Sequence, residues 1–110
     1  MIKVLIVEDT YINALLMKYC ISLDCLVKTV DNGQKMLDIL EIETFDIIIC
    51  DIEMTVLDGV SARKLMKPNN SFYYCTSHDY SEEELNDKVI RKPANIDDIK
   101  TIIEEFNDRN

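Results

Sequence analysis

Three acids, a hydroxyl and an ammonium in this 110-residue chain stand where runs of strand-forming residues end. Glu8 and Asp9 follow Ile2-Lys-Val-Leu-Ile-Val7, Asp51 closes Asp46-Ile-Ile-Ile-Cys50, Thr76 closes Phe72-Tyr-Tyr-Cys75, and Lys92 stands just beyond Val89-Ile90. If those strands are parallel, their carboxyl ends share one rim, the place where open α/β sheets bind ligands. Carboxylates converging there repel one another unless a cation sits among them. Hard oxygen ligands with room for water suit Mg²⁺, which is commonly held by one or two carboxylates plus a phosphate. A hydroxyl and an ammonium on the same rim suit the equatorial oxygens of a phosphoryl group in transfer. Asp51 is then a candidate nucleophile that forms an acyl phosphate by in-line attack. Singly, each residue has a plainer reading: the acids as a helix cap, Thr76 as a β-former, Lys92-Pro93 as a turn. Their occurrence together, in order and each at a strand end, points to phosphoryl chemistry.

The elements that must position these residues follow from hydrophobic pattern. The run Ile47 to Cys50 reads as a strand buried on both faces, and Ile2 to Val7 as another. Cys25 to Val30, Phe72 to Thr76 and Val89-Ile90 complete five strands. Between them, Ile12, Leu15, Leu16, Tyr19 and Leu23 recur at helical spacing and predict a helix packed on that face. Met36, Leu37 and Leu40 mark a second helix after the cap chemistry of Asp31-Asn-Gly33. Val60, Leu65 and Met66 mark a short third one stopped by Pro68-Asn-Asn70. Ser81-Glu-Glu-Glu84 fits a capping box with room for only a turn or two. A last helix from about Asn95 should bury Ile96, Ile99, Ile103 and Phe106. Alternating strands and helices, with strands too apolar for a one-sided sheet, imply an α/β fold with helices on both faces and right-handed crossovers.

Composition narrows the function classes. Hydrophobic residues make up 47% and charged residues 30% of the chain, as in a soluble single domain. No apolar run reaches the roughly 20 residues that span a bilayer, and the first residues lack a secretory signal, so a cytoplasmic protein with no membrane contact is expected. A net charge of −9 disfavours nucleic acid as a partner. Cys20, Cys25, Cys50 and Cys75 form no C-x-x-C pair, so neither a disulfide framework nor a zinc site is indicated.

With Val4-Leu-Ile-Val-Glu8-Asp9, Asp51-Ile-Glu-Met, Leu57-Asp-Gly59, Thr76-Ser77 and Lys92-Pro93 in view, the chain resembles the phosphoacceptor receiver domains of two-component response regulators. Val7-Glu-Asp-Thr-Tyr-Ile-Asn13 looks most like the receivers attached to hybrid sensor kinases. The resemblance covers essentially the whole chain, and implies one receiver domain over residues 1–110. It implies a flavodoxin-like doubly wound sheet of five parallel strands in the order 2-1-3-4-5. By the same resemblance, Glu8, Asp9, Asp51 and the main-chain carbonyl of Glu53 hold Mg²⁺. Asp51 takes a phosphoryl group from the phosphohistidine of a sensor histidine kinase or a histidine phosphotransfer protein. Thr76 moves to hydrogen-bond that group, Lys92 pairs with it, and the Lys92–Pro93 bond is cis. Such a protein is not an enzyme in the ordinary sense, catalysing only its own phosphorylation and hydrolysis. A monomer is expected, and Met1 with an ending soon after the last helix suggests a stand-alone receiver or relay intermediate.

The chain departs from the family at several places. Thr55 stands where proline is usual, and the segments on either side of Thr76 are short, which shrinks the fourth helix. Val89 replaces a common Tyr or Phe three residues before the lysine. These changes alter the face many receivers use for output. Glu53 and His78 occupy places that in the family influence how water reaches the phosphoryl group, and an effect on acyl-phosphate lifetime is expected. Two other functions compete. One is a pseudo-receiver that binds but is never phosphorylated. The other is a phosphatase of the haloacid dehalogenase type, echoed by Asp51-x-Glu53-x-Thr55 and by Asp97-Asp98. The glutamate in place of the second aspartate and the lack of room for a cap domain count against the latter.

Overall fold

The computed structural model describes residues 1–21, 25–67 and 71–109. Leu23 and Pro68-Asn-Asn70, assigned above to a helix face and a helix stop, lie outside the described residues. The order of elements is β1 (Ile2–Val7), α1 (Tyr11–Ile21), β2 (Cys25–Val30), α2 (Gly33–Leu40), β3 (Ile47–Asp51), α3 (Gly59–Leu65), β4 (Ser71–Thr76), α4 (Glu82–Leu85), β5 (Lys88–Arg91) and α5 (Ile96–Arg109). The five strands form one sheet, β2-β1-β3-β4-β5, and every neighbouring pair is parallel.

Period-two alternation splits the core between the sheet's two faces. Val4, Ile6, Ile47, Ile49, Tyr73 and Cys75 face α1 and α5, where Ala14, Met17, Ile99 and Ile102 meet them. Leu5, Val7, Ile48, Cys50, Phe72 and Tyr74 face the other way, against Met36 of α2 and Ala62 of α3. Side-chain oxygens start four of the helices, as N-cap preferences require. Asn32 accepts from the Lys35 N–H, Asp58 from the Ser61 N–H, Ser81 from the Glu84 N–H, and Asn95 from the Asp98 N–H.

Two helix faces differ from the reading of periodicity. In α1 it is Ala14, Met17 and Ile21 that are buried, while Ile12, Leu15, Leu16 and Tyr19 are exposed, Tyr19 by 80%. Both sides of this helix are apolar, so spacing alone does not say which one packs. The side with the smaller Ala14 lets the helix approach the sheet. In α5, Ile99 and Ile102 are the buried pair, Ile103 and Phe106 pack at its border, and Ile96 is 47% exposed.

The shortened fourth helix is a single turn, Glu82–Leu85. An ion pair lies on the same side of the sheet. Arg63 of α3 donates from Nε and Nη2 to the two carboxylate oxygens of Asp87 at 2.9 and 3.1 Å, with its guanidinium 4.5 Å from the centre of the Phe72 ring.

Candidate functional site

Each candidate side chain arrives at the rim on a strand end. β1 delivers Glu8, only 2% exposed, and then the exposed Asp9; β3 delivers Asp51, 5% exposed. The parallel register aligns Val7 with Cys50 and Asp51 with Cys75, so these ends lie side by side. One carboxylate oxygen from each of Glu8, Asp9 and Asp51 lies within 4.8 Å of the others. Such a group of hard oxygens, two buried and one exposed, matches the ligand preference of Mg²⁺.

Lys92 enters the same pocket from beyond β5. The Lys92 N–H donates to the Thr76 carbonyl at 2.8 Å, extending the β4–β5 ladder by one bond. The side chain then places Nζ 2.6 Å from Glu8 Oε1 and 3.1 Å from Asp51 Oδ2. Burial alone would lower the pKa of this ammonium, but its hydrogen bonds to Glu8 and Asp51 outweigh that and hold it above the ordinary lysine value. The other Asp51 oxygen, Oδ1, accepts from the Ile52 N–H at 2.8 Å. The Asp51 carboxylate is thus fixed by one donor on each oxygen. The Lys92–Pro93 peptide is cis.

The loop after Asp51 is held by its own backbone. Gly59 N–H donates to the Ile52 carbonyl at 2.9 Å, and a Cβ on Gly59 would lie 2.1 Å from the Asp51 carbonyl oxygen, so only glycine fits beside the acceptor. Where proline would stiffen the loop, Thr55 instead accepts from the Leu57 N–H at 2.9 Å. The intervening Val56 has φ of 70°, a costly setting for a β-branched residue.

Thr76, fully buried, does not point its hydroxyl at Asp51. It donates to Glu53 Oε2 at 3.2 Å, and the His78 N–H donates to the same hydroxyl oxygen at 3.1 Å. His78 Nε2 lies 3.8 Å from Glu53 Oε1, so the two residues flagged for water access are neighbours. Sequence reasoning missed the Glu53 carboxylate as a partner of Thr76. It also missed Arg91, whose guanidinium spans residues 78–80. No local pattern signals either contact, since each depends on the placement of a separate strand end.

Asp97 and Asp98, the acids borrowed for a phosphatase reading, lie in the first turn of α5 rather than at a strand end. Asp98 and Asn95 are occupied with each other: the Asp98 N–H donates to Asn95 Oδ1 at 2.9 Å, and Asn95 N–H to Asp98 Oδ2 at 3.3 Å.

A doubly wound sheet with this strand order defines the α/β class shared by receiver domains. The chain belongs to the response regulator receiver domain family, whose model matches residues 4–104. It is 29% identical over 109 residues to the autoinducer 2 sensor kinase/phosphatase LuxQ of Vibrio vulnificus, an alignment that covers 94% of this chain but 12% of that protein. The chain therefore spans about an eighth of the curated relative's length. Among solved structures, the receiver domain of Francisella response regulator 1452 superimposes with a TM-score of 0.87 at 21% identity, covering 100% of both chains. The signal receiver domain of a signal transduction histidine kinase from Syntrophus aciditrophicus gives 0.85 at 20% identity, covering 99% of this chain and 92% of that one. Among the described residues no helix is long and apolar enough to cross a membrane.

Proposed function

We propose that this chain is a Mg²⁺-dependent phosphoacceptor of a two-component relay, with residues 1–110 acting as one receiver domain in the cytoplasm. Asp51 takes the phosphoryl group from a phosphohistidine on a sensor histidine kinase or a histidine phosphotransfer protein. The observation that carries this reading is the Lys92 ammonium set between buried Glu8 and Asp51, with Asp9 completing the acid cluster. Glu8, Asp9, Asp51 and the Glu53 carbonyl are the groups that would hold the metal, which supplies charge neutralisation on the phosphoryl oxygens.

The chain's own residues perform the remaining tasks. An Asp51 carboxylate oxygen attacks phosphorus; the new P–O bond forms as the P–N bond breaks, and its electron pair stays on the imidazole. The Ile52 N–H orients the carboxylate before attack. Lys92 is already placed to meet the negative charge that arrives beside Asp51. Thr76 must turn its hydroxyl from Glu53 to reach the phosphoryl oxygens. The partner's approach is suited by the exposed apolar side of α1, because Asn13 and Leu16 line a cavity of about 220 Å³ together with Glu8 and Lys92. Burial of such a face against a partner helix is favourable in proportion to its apolar area.

The test is intact-mass analysis after incubation with Mg²⁺ and acetyl phosphate. One added phosphoryl group, labile to hydroxylamine and missing in Asp51→Asn, is expected. No gain from acetyl phosphate or from any phosphohistidine donor would leave a binding-only receiver as the better account.

A further inference from the structure

We propose that Arg91 is a positioning residue that latches the loop between β4 and α4 and thereby holds the Thr76 hydroxyl in its resting direction, toward Glu53. This rests on the reading of Asp51 as phosphoacceptor and adds a restraint to it.

Arg91 ends β5 directly opposite Thr76 in the parallel register. Its side chain reaches back over the connection that leaves Thr76. The guanidinium donates from Nη1 to the His78 carbonyl, and from Nη2 to the Tyr80 carbonyl at 2.7 Å and to Asp79 Oδ1 at 2.9 Å. Between the two carbonyls the backbone closes a three-residue turn, with the Tyr80 N–H donating to the His78 carbonyl at 3.1 Å. One planar, five-donor group therefore grips both ends of one tight turn, a task suited to arginine's fixed fork and not to a lysine ammonium.

The same turn is tied to the reaction centre on its other side. The His78 N–H donates to Thr76 Oγ1, and that hydroxyl donates to Glu53. A continuous path runs from Arg91 through the His78 backbone, its C=O and then its N–H, to the Thr76 hydroxyl. For that hydroxyl to serve a phosphoryl group on Asp51 it must leave Glu53, and the His78 N–H must follow it or lose its acceptor. Arg91 opposes the first, because it holds both carbonyls of that turn, so the hydroxyl can leave only at the cost of the His78 N–H bond. The segment leads into the single helical turn of α4, and besides the latch it is anchored by Tyr80 packed at the border of the core. The carboxylate of Asp79 contributes little, since it stands fully in solvent, where ion pairs are weak.

Removing the latch should favour the phosphoryl-accepting arrangement. In Arg91→Ala, phosphorylation by saturating acetyl phosphate with Mg²⁺ should speed up about threefold to tenfold, less than a buried charge-assisted hydrogen bond would give because the Arg91 side chain is half in solvent. The donor concentration giving half the maximal rate should stay unchanged, because Arg91 touches no donor-binding group. Arg91→Lys should fall between parent and Ala, and Asp79→Asn should match the parent. In the unphosphorylated protein, amide hydrogen exchange at residues 78–80 should rise about tenfold in Arg91→Ala while β1 and β3 amides keep their protection. Unchanged exchange in both Arg91 variants, or a rate that falls in Arg91→Ala, overturns the latch. If the parent itself takes no phosphoryl group, the acceptor reading fails, and exchange alone still decides whether Arg91 holds the turn.

Discussion

Replacing Lys92 with methionine keeps most of the aliphatic stem and removes the ammonium with its charge and donors, leaving Glu8 and Asp51 to face each other in a buried pocket. The parent distances of 2.6 and 3.1 Å set the attraction that is lost. At an effective dielectric constant of about 20 these correspond to roughly 6 and 5 kcal/mol of Coulomb energy, most of it offset by the cost of desolvating the ammonium. Breaking one side of a buried ion pair costs about 3–5 kcal/mol, and the part of Lys92 still in water reduces this to about 2–4 kcal/mol. For a domain of this size that is a fall in Tm of roughly 10–20 °C in the presence of a chelator. Urea unfolding of parent and Lys92→Met, with EDTA and with Mg²⁺, measures it. Mg²⁺ should stabilise the variant more than the parent, because the ammonium no longer competes for the same oxygens. A variant within about 0.5 kcal/mol of the parent in chelator would refute the shared pocket. Equal and negligible effects of Mg²⁺ on both proteins would refute the acid cluster as a metal site.

Two further outcomes concern the stability of the fold. Asp87→Ala should destabilise the fold by about 1–3 kcal/mol, seen as a lower urea midpoint with unchanged slope, because it strands a largely buried Arg63 over Phe72. Stability should also fall with rising pH above roughly 8.5, the ordinary thiol value. Burial raises the Cys50 thiol well above its usual range and pushes Cys75 up to about 12. A group whose folded pKa is raised contributes stability that is complete below the unfolded pKa and is lost as pH climbs toward the folded one. Each thiol then adds a slope of up to about 1.4 kcal/mol per pH unit, and Cys50→Ala or Cys75→Ala should flatten the profile between about pH 8 and 10. Parallel profiles for parent and both variants would show that other groups set the alkaline limit.

The outline of the fold was legible because its signals are local. The apolar runs ending at Val7, Asp51 and Thr76 are dense enough in β-branched and aromatic residues to be strands in any setting, and parallel strands in an alternating α/β order bring their carboxyl ends to one rim. Asn32 and Ser81 announced their helices for the same reason, since a cap is a bond between near neighbours. The family's motifs could be matched position by position because they sit at those strand ends.

Local pattern thus carries the order of the elements and the identity of the groups at their ends. The packed structure alone decided which side of α1 is buried, because both sides are apolar and the choice rests on how closely Ala14 lets the helix approach the sheet. It alone set Lys92 against Glu8, 84 residues away in the chain, turned Thr76 toward Glu53, and carried Arg91 across to residues 78–80. Each of these is a contact between groups at, or just beyond, separate strand ends. Its geometry follows from register and twist across the sheet, which no stretch of a few residues encodes.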